Sequence, residues 1–127
     1  MKVIDVRELE GTERDVRCPN GGFRSLRILL ESDRMGFTMT KTTIPVGTTQ
    51  FWHYKNHLEA CFCVEGRATL VNDLTGETFE ISPGKTYVLD NHDAHLFTAH
   101  EPTTLICVFN PPLKGREVHR EDGSYSS

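Results

Sequence analysis

No stretch of this chain approaches the ~18 consecutive apolar residues that a membrane-spanning helix needs. Its opening residues, MKVIDVRELEGTERDVR, are too charged to read as a signal peptide or an anchor. Excess positive charge is also missing: 14 Lys and Arg stand against 18 Asp and Glu, a formal charge of −4. Neither nucleic acid nor an anionic membrane surface attracts such a protein, so neither is expected as a partner. Cysteine is sparse, and the four present do not form a stapling pattern. Cys61 and Cys63 are two apart on a predicted strand and share a face, while Cys18 and Cys107 are isolated. They read as buried small hydrophobes in a reducing compartment, and a cytoplasmic address is the expectation. A single C-x-C also falls short of the two pairs usual in a structural zinc site. Finally, no segment combines helical period, caps and length.

That last absence decides the fold class. A chain of 127 residues is long enough to bury the core of one domain, and here the core must come from strands. Alternating or apolar runs fall at 23–30, 37–44, 59–64, 86–90, 96–100 and 103–110. A hairpin with its tip at Asn72 to Gly76 lies among them, and KVIDV near the start reads as a further short strand. Pro111-Pro112 ends the most apolar run. This spacing predicts an all-β double sheet of the jelly-roll kind, able to enclose a small-ligand cavity. The remaining tail, LKGREVHREDGSYSS, is polar and is expected on the surface.

The stretch Gly47 to Gly66 concentrates the chemistry. His53, His57 and Glu59 fall within seven positions beside an apolar run, the residue types of a metal or proton-transfer site. The alternative for His57 is a satisfied surface histidine, and for Tyr87 a core aromatic with a bonded hydroxyl. Arg27, on an alternating strand, suits carboxylate binding through its fork or a place on the surface.

The spacing Gly47, His53, Glu59, Gly66 resembles the first cupin motif, with Lys55 where its second histidine is usual. The second cupin motif is altered too: Pro83-Gly84-Lys85-Thr86-Tyr87 carries tyrosine where a metal-binding histidine is common. A closer resemblance, to the ectoine synthase family of cupins, runs through NGGFRSLRILL, MGFTMTKTTIPVGT, HYKNHLEA, PGKTYVLDNHDAH and CVFNPPLKGREVHREDGSY. Of these, GREVHREDG is the most specific. The resemblance implies a single cupin jelly-roll barrel over residues 1–127, with residues 115–127 as a polar tail and lid over the barrel mouth. It also implies a lyase that closes N-γ-acetyl-2,4-diaminobutyrate into the cyclic osmolyte ectoine with loss of water.

Carried over by position, the family's iron ligands fall on Glu59, Tyr87 and His95, with Fe2+ as the implied cofactor. Its catalytic positions fall on Tyr54, His57, Glu117 and His119, and its substrate contacts on Phe23, Arg27, Thr40, Thr42, Cys107 and Phe109. The family usually has tryptophan at Phe23 and asparagine at Thr40, so this chain lacks an indole N–H and a side-chain amide there. Those departures motivate an alternative substrate, another short diamino compound or amide. The broken histidine pair motivates a different alternative, a non-catalytic cupin that binds a small molecule. Parity places Phe23 with Arg27, Thr40 with Thr42, and Cys107 with Phe109, as strands lining one cavity require. Phe37 and Met39 then point outward, where a second subunit would cover them, so a homodimer is expected.

Overall fold

The computed structural model describes residues 1–47, 49–120 and 122–125. Thr48 in the central stretch, and Glu121, Ser126 and Ser127 in the tail, lie outside the described residues. The strands are Asp15–Arg17 (β1), Arg24–Leu29 (β2), Thr38–Ile44 (β3), Gln50–Trp52 (β4) and Leu58–Glu65 (β5). Ala68–Asn72 (β6), Thr78–Ile81 (β7), Thr86–Leu89 (β8), His95–Ala99 (β9) and Thr103–Asn110 (β10) follow. They form a six-stranded sheet ordered β1-β2-β3-β10-β5-β8 and a four-stranded sheet ordered β4-β9-β6-β7. All the pairings are antiparallel. The expected all-β double sheet of the jelly-roll kind is the architecture found.

Between the sheets lies one apolar core, to which Cys63, Leu105, Ile44 and Leu89 contribute from one side and Trp52, Phe97, Leu70 and Ala68 from the other. Gly66, just past β5, shows how tightly the corners pack. Its φ is +101°, and a Cβ there would lie 2.5 Å from the Pro102 carbonyl oxygen and 2.6 Å from Thr103. Only glycine satisfies both the backbone angle and the space.

Three local expectations are corrected. KVIDV is not a strand: residues 1–5 have no regular structure and Val6–Leu9 is a short 3-10 helix, because Met1 and Val3 are exposed and carry no apolar face to bury. In β2 the simple alternation puts Leu29 with Arg27, yet the register slips between those two residues. That bulge moves one residue across the sheet, so Leu29 pairs with outward-facing Met39 and Leu30 turns into the core. The tail does not lie simply on the surface: Leu113, Ser124 and Tyr125 are all buried.

Candidate active site

Register builds the site. Arg27 on β2 stands opposite Thr40 on β3, Thr40 opposite Cys107 on β10, Cys107 opposite Cys61 on β5, and Cys61 opposite Tyr87 on β8. These residues form a single rung across the inner face of the six-stranded sheet, roughly 19 Å long at ~4.8 Å per strand. A guanidinium stands at one end and a phenol at the other. Every member is buried. Glu59 lies in the adjacent row, opposite Phe109 and Leu89. The threonine stripe therefore faces inward, as parity predicts: Thr38 and Thr40 are buried, and the Thr40 and Thr42 hydroxyls sit 2.8 Å apart.

Glu59, Tyr87, Cys107 and Phe109 line an interior cavity of ≈ 20 Å³ together with Trp52, Tyr54, His119 and Tyr125. That is room for roughly one water molecule. Burial pushes the Glu59 carboxyl and the Tyr87 and Tyr54 phenols well above their ordinary values. For the Cys107 thiol, hydrogen bonding with Cys61 outweighs burial and, with Thr42, Thr40 and Glu59, holds it below its ordinary value. On its other side Tyr87 reaches an open groove of ≈ 710 Å³ between β7 and β8, which His95 also lines. The Tyr87 and His95 rings are 6.3 Å apart.

His95 could serve as a metal ligand. Its Nδ1 lies 2.9 Å from the Asp93 carbonyl oxygen, which only an Nδ1–H can satisfy. The buried Nε2 is left with a lone pair and no hydrogen-bond partner. Burial keeps the ring neutral by lowering its pKa, against the opposing pull of Asp93. Carboxylate, phenol and imidazole are the hard and intermediate donors that suit a divalent iron with open coordination positions. The donor set fits.

After β10 the chain doubles back across the barrel mouth. The Leu113 amide donates to the Thr38 hydroxyl at 2.7 Å, and the Leu113 carbonyl accepts from the Glu31 amide at 2.8 Å. Arg27, fully buried, donates to the Gly115 carbonyl at 2.8 Å and to the Glu117 carbonyl, and pairs with the Glu117 carboxylate at 3.7 Å. Burial alone would raise Glu117, but the Lys114 and Gly115 amides that donate to its carboxylate outweigh that and hold it low. His119 Nε2 meets the Tyr54 hydroxyl at 2.7 Å, and its ring stacks on Trp52 at 5.2 Å and Tyr125 at 4.6 Å. Burial, then the Arg27 charge, push His119 down to about 3. At Gly123, with φ at +83°, the carbonyl accepts from the His53 amide at 2.8 Å.

The residues singled out from sequence thus gather around one interior, with some rearrangement among them. His57 is buried rather than on the surface, edge-on to Phe109 and Tyr125, with its Nδ1 unpartnered and its pKa lowered by burial. Phe23 is buried edge-on to His119 at 5.2 Å. Glu117 and His119 share the tail but spend their side chains on different partners, Arg27 and Tyr54. His53 meets the tail through its backbone, and His92 binds the Tyr54 carbonyl from outside. Sequence reasoning missed Trp52, Tyr125 and Cys61. Trp52 is the lone tryptophan and was a legible signal, whereas GSYSS offers nothing that marks Tyr125 as buried.

Comparison with known proteins agrees on one family. The family model described as ectoine synthase matches residues 1–127. An L-ectoine synthase of Wolinella succinogenes is 50% identical over 98% of this chain and 95% of its own length. One from a Marinomonas species is 46% identical over 95% of this chain and 94% of its own. A crystal structure of ectoine synthase from P. lautus superposes with a TM-score of 0.83 at 39% identity, covering 90% of this chain and 80% of that one.

Proposed function

Because the chain belongs to the ectoine synthase family, we propose that it is a lyase that closes N-γ-acetyl-L-2,4-diaminobutyrate into ectoine with loss of water, using a divalent iron. The observation that carries the reading is the convergence of Glu59, Tyr87, Tyr54, Cys107 and His119 on one buried cavity beside the unpartnered Nε2 of His95.

The reaction joins two ends of one molecule, so the protein's first task is to curl a flexible chain. A well-oriented intramolecular encounter contributes up to about 7–11 kcal/mol in favourable systems. The Arg27 fork, at the far end of the rung, is the group that would orient the substrate carboxylate. Phe23 and Phe109 supply aromatic walls, and the Thr40 and Thr42 hydroxyls, with the Cys107 thiol, offer hydrogen bonds between the ends. Glu59, Tyr87 and His95 would hold the iron, which supplies a Lewis acid for the acetamide carbonyl, a poor electrophile by itself.

The α-ammonium must lose a proton before it attacks the carbonyl carbon. The Tyr54–His119 pair is placed to relay that proton through its 2.7 Å hydrogen bond, although the low pKa of the imidazole makes it a weak base and a strong conjugate acid. The same pair can return the proton to the departing hydroxyl, which leaves as water. His57, neutral and buried, is a second acceptor beside Phe109. Glu117 ties the lid to Arg27 and so couples closure to substrate binding.

A homodimer is part of the proposal, supported by the apolar outer face of the six-stranded sheet, where Phe62, Val64, Val88 and Val108 are exposed. Four free cysteines support a reducing, cytoplasmic setting. Among the described residues no helix is long and apolar enough to cross a membrane. The deciding experiment supplies Fe2+-loaded protein with N-γ-acetyl-diaminobutyrate and follows ectoine by chromatography. Ectoine is the expected product. Binding without turnover would leave a small-molecule-binding cupin instead.

A further inference from the structure

Cys61 and Cys107 differ from the other two cysteines. They stand directly opposite one another on β5 and β10, both facing the interior, 0% and 3% exposed. Both are free thiols. A Glu59 carboxylate oxygen and the two sulfurs all lie within 4.8 Å of one another. A tetrahedral zinc-type ion, with metal–sulfur bonds near 2.3 Å and metal–oxygen bonds near 2.1 Å, needs ligand atoms roughly 3.6–3.8 Å apart. The three atoms can reach that spacing with small side-chain adjustments. Cys63 makes the contrast: it shares the face of Cys61, but its thiol points to the Glu65 carbonyl at 3.5 Å, with no carboxylate to join it. It is a packing residue.

We propose that Glu59, Cys61 and Cys107 form a site for a thiophilic divalent cation, of the class of Zn2+, Co2+ and Cd2+. Two thiolates and a carboxylate are a soft-leaning donor set, unlike the oxygen and nitrogen donors of Glu59, Tyr87 and His95. Binding displaces the two thiol protons to solvent. The Thr40 and Thr42 hydroxyls beside Cys107 supply the outer hydrogen bonds that orient a ligating sulfur. The Tyr87 hydroxyl, beside Cys61 in the rung, stands where a further oxygen ligand would come from. Glu59 belongs to both sets, so a thiophilic ion and iron exclude one another. The site itself rests on the cysteine geometry; only that competition rests on the iron reading above.

The test is Co2+ added to reduced, metal-free full-length protein, read as sulfur-to-cobalt charge transfer in the near ultraviolet. The band is expected in the wild type and in His95→Ala, and expected to vanish in Cys107→Ser and in Cys61→Ser. Cobalt bound without a charge-transfer band, or a band that survives both single substitutions, overturns the proposal. If those variants do not fold, Cys18→Ser/Cys63→Ser decides: a retained band leaves only Cys61 and Cys107 as its source, and a lost band refutes the site. The iron reading fails by a different observation, no ectoine from Fe2+-loaded protein, so the two outcomes are separable.

Discussion

The buried polar groups between the sheets come mainly from the six-stranded one, where they are interleaved with core residues, whereas the four-stranded sheet turns an almost wholly apolar face inward. On the inner side of the first, Ser25, Arg27, Thr38, Thr40 and Glu59 are all buried. On the inner side of the second stand Trp52, Phe97, Leu70 and Ala68, with His95 as the titratable member among the described residues. Outside, Phe62, Val64, Val88 and Val108 are open on the first sheet. The second shows threonines that are already bonded, Thr69 to Glu80 and His100, and Thr98 to Thr49. Burying a polar rung is unfavourable unless its groups are satisfied. The apolar sheet opposite offsets that cost, and the low dielectric of the interior strengthens the electrostatic contacts within it. The first wall carries most of the candidate chemistry, and the second, His95 excepted, carries packing.

Breaking each wall should therefore show in a different measurement. Glu59→Ala strikes the chemical wall. Ectoine formation should fall by more than the roughly 10–100-fold typical of outer-shell partners, with iron content lost in elemental analysis. Retention of either iron or activity would refute the ligand assignment. Phe97→Ala strikes the stabilising wall: Phe97 is 0% exposed, so denaturant unfolding should show a loss of about 3–5 kcal/mol. Iron bound per folded molecule should stay unchanged.

The closing tail joins the two walls, and its docking should depend on pH. Docked, His119 titrates at about 3; released into water it would titrate near ~6.5. Above that value both forms are neutral and docking is intact. Between the two, the released tail binds a proton that the docked one does not. Docking should weaken as pH falls from ~6.5 towards 3, by about tenfold per pH unit. Fluorescence of the single Trp52, stacked on His119, reports it; a signal flat across that window would contradict the coupling.

On the outer faces the expected effects are smaller. Phe62→Lys adds charge to an exposed apolar position on β5 and should weaken dimerisation about tenfold, ~1.4 kcal/mol, in sedimentation at graded concentrations. Unchanged association would place the contact elsewhere. Thr69→Val, on the polar outer face, removes bonds to Glu80 and His100 and should cost about 0.5–1.5 kcal/mol without altering association or iron content.

The strands were largely legible because alternation is written in their sequences: β3, β5 and β10 each expose one face and bury the other. β1 was not, since Asp15, Val16 and Arg17 give a single buried side chain amid charge. Membership of the rung was partly legible, as parity assigned Arg27, Thr40 and Cys107 to one interior. Its order was not. Register between distant strands is a tertiary property, so nothing in the sequence near Cys61 marks Cys107 as the residue facing it. The bulge after Arg27 likewise has no local signature, and it inverted the expectation for Leu29 and Leu30. The tail reads as polar because half-buried His119 and buried Tyr125 are held by single hydrogen bonds and ring contacts instead of an apolar run.

The ≈ 20 Å³ chamber has a consequence for how substrate would be measured. A space for one water does not admit a diamino acid, so substrate that enters on the Tyr54–His119 side must first displace the tail. The observed dissociation constant is then the intrinsic one divided by the fraction of molecules already open. Loosening the tail, for instance at Lys55–Asp122, an exposed pair at its margin, would enlarge that fraction and tighten apparent binding while the chemistry inside, which depends on reclosure, slows. Affinity and turnover in this protein should move in opposite directions when its mouth is made easier to open.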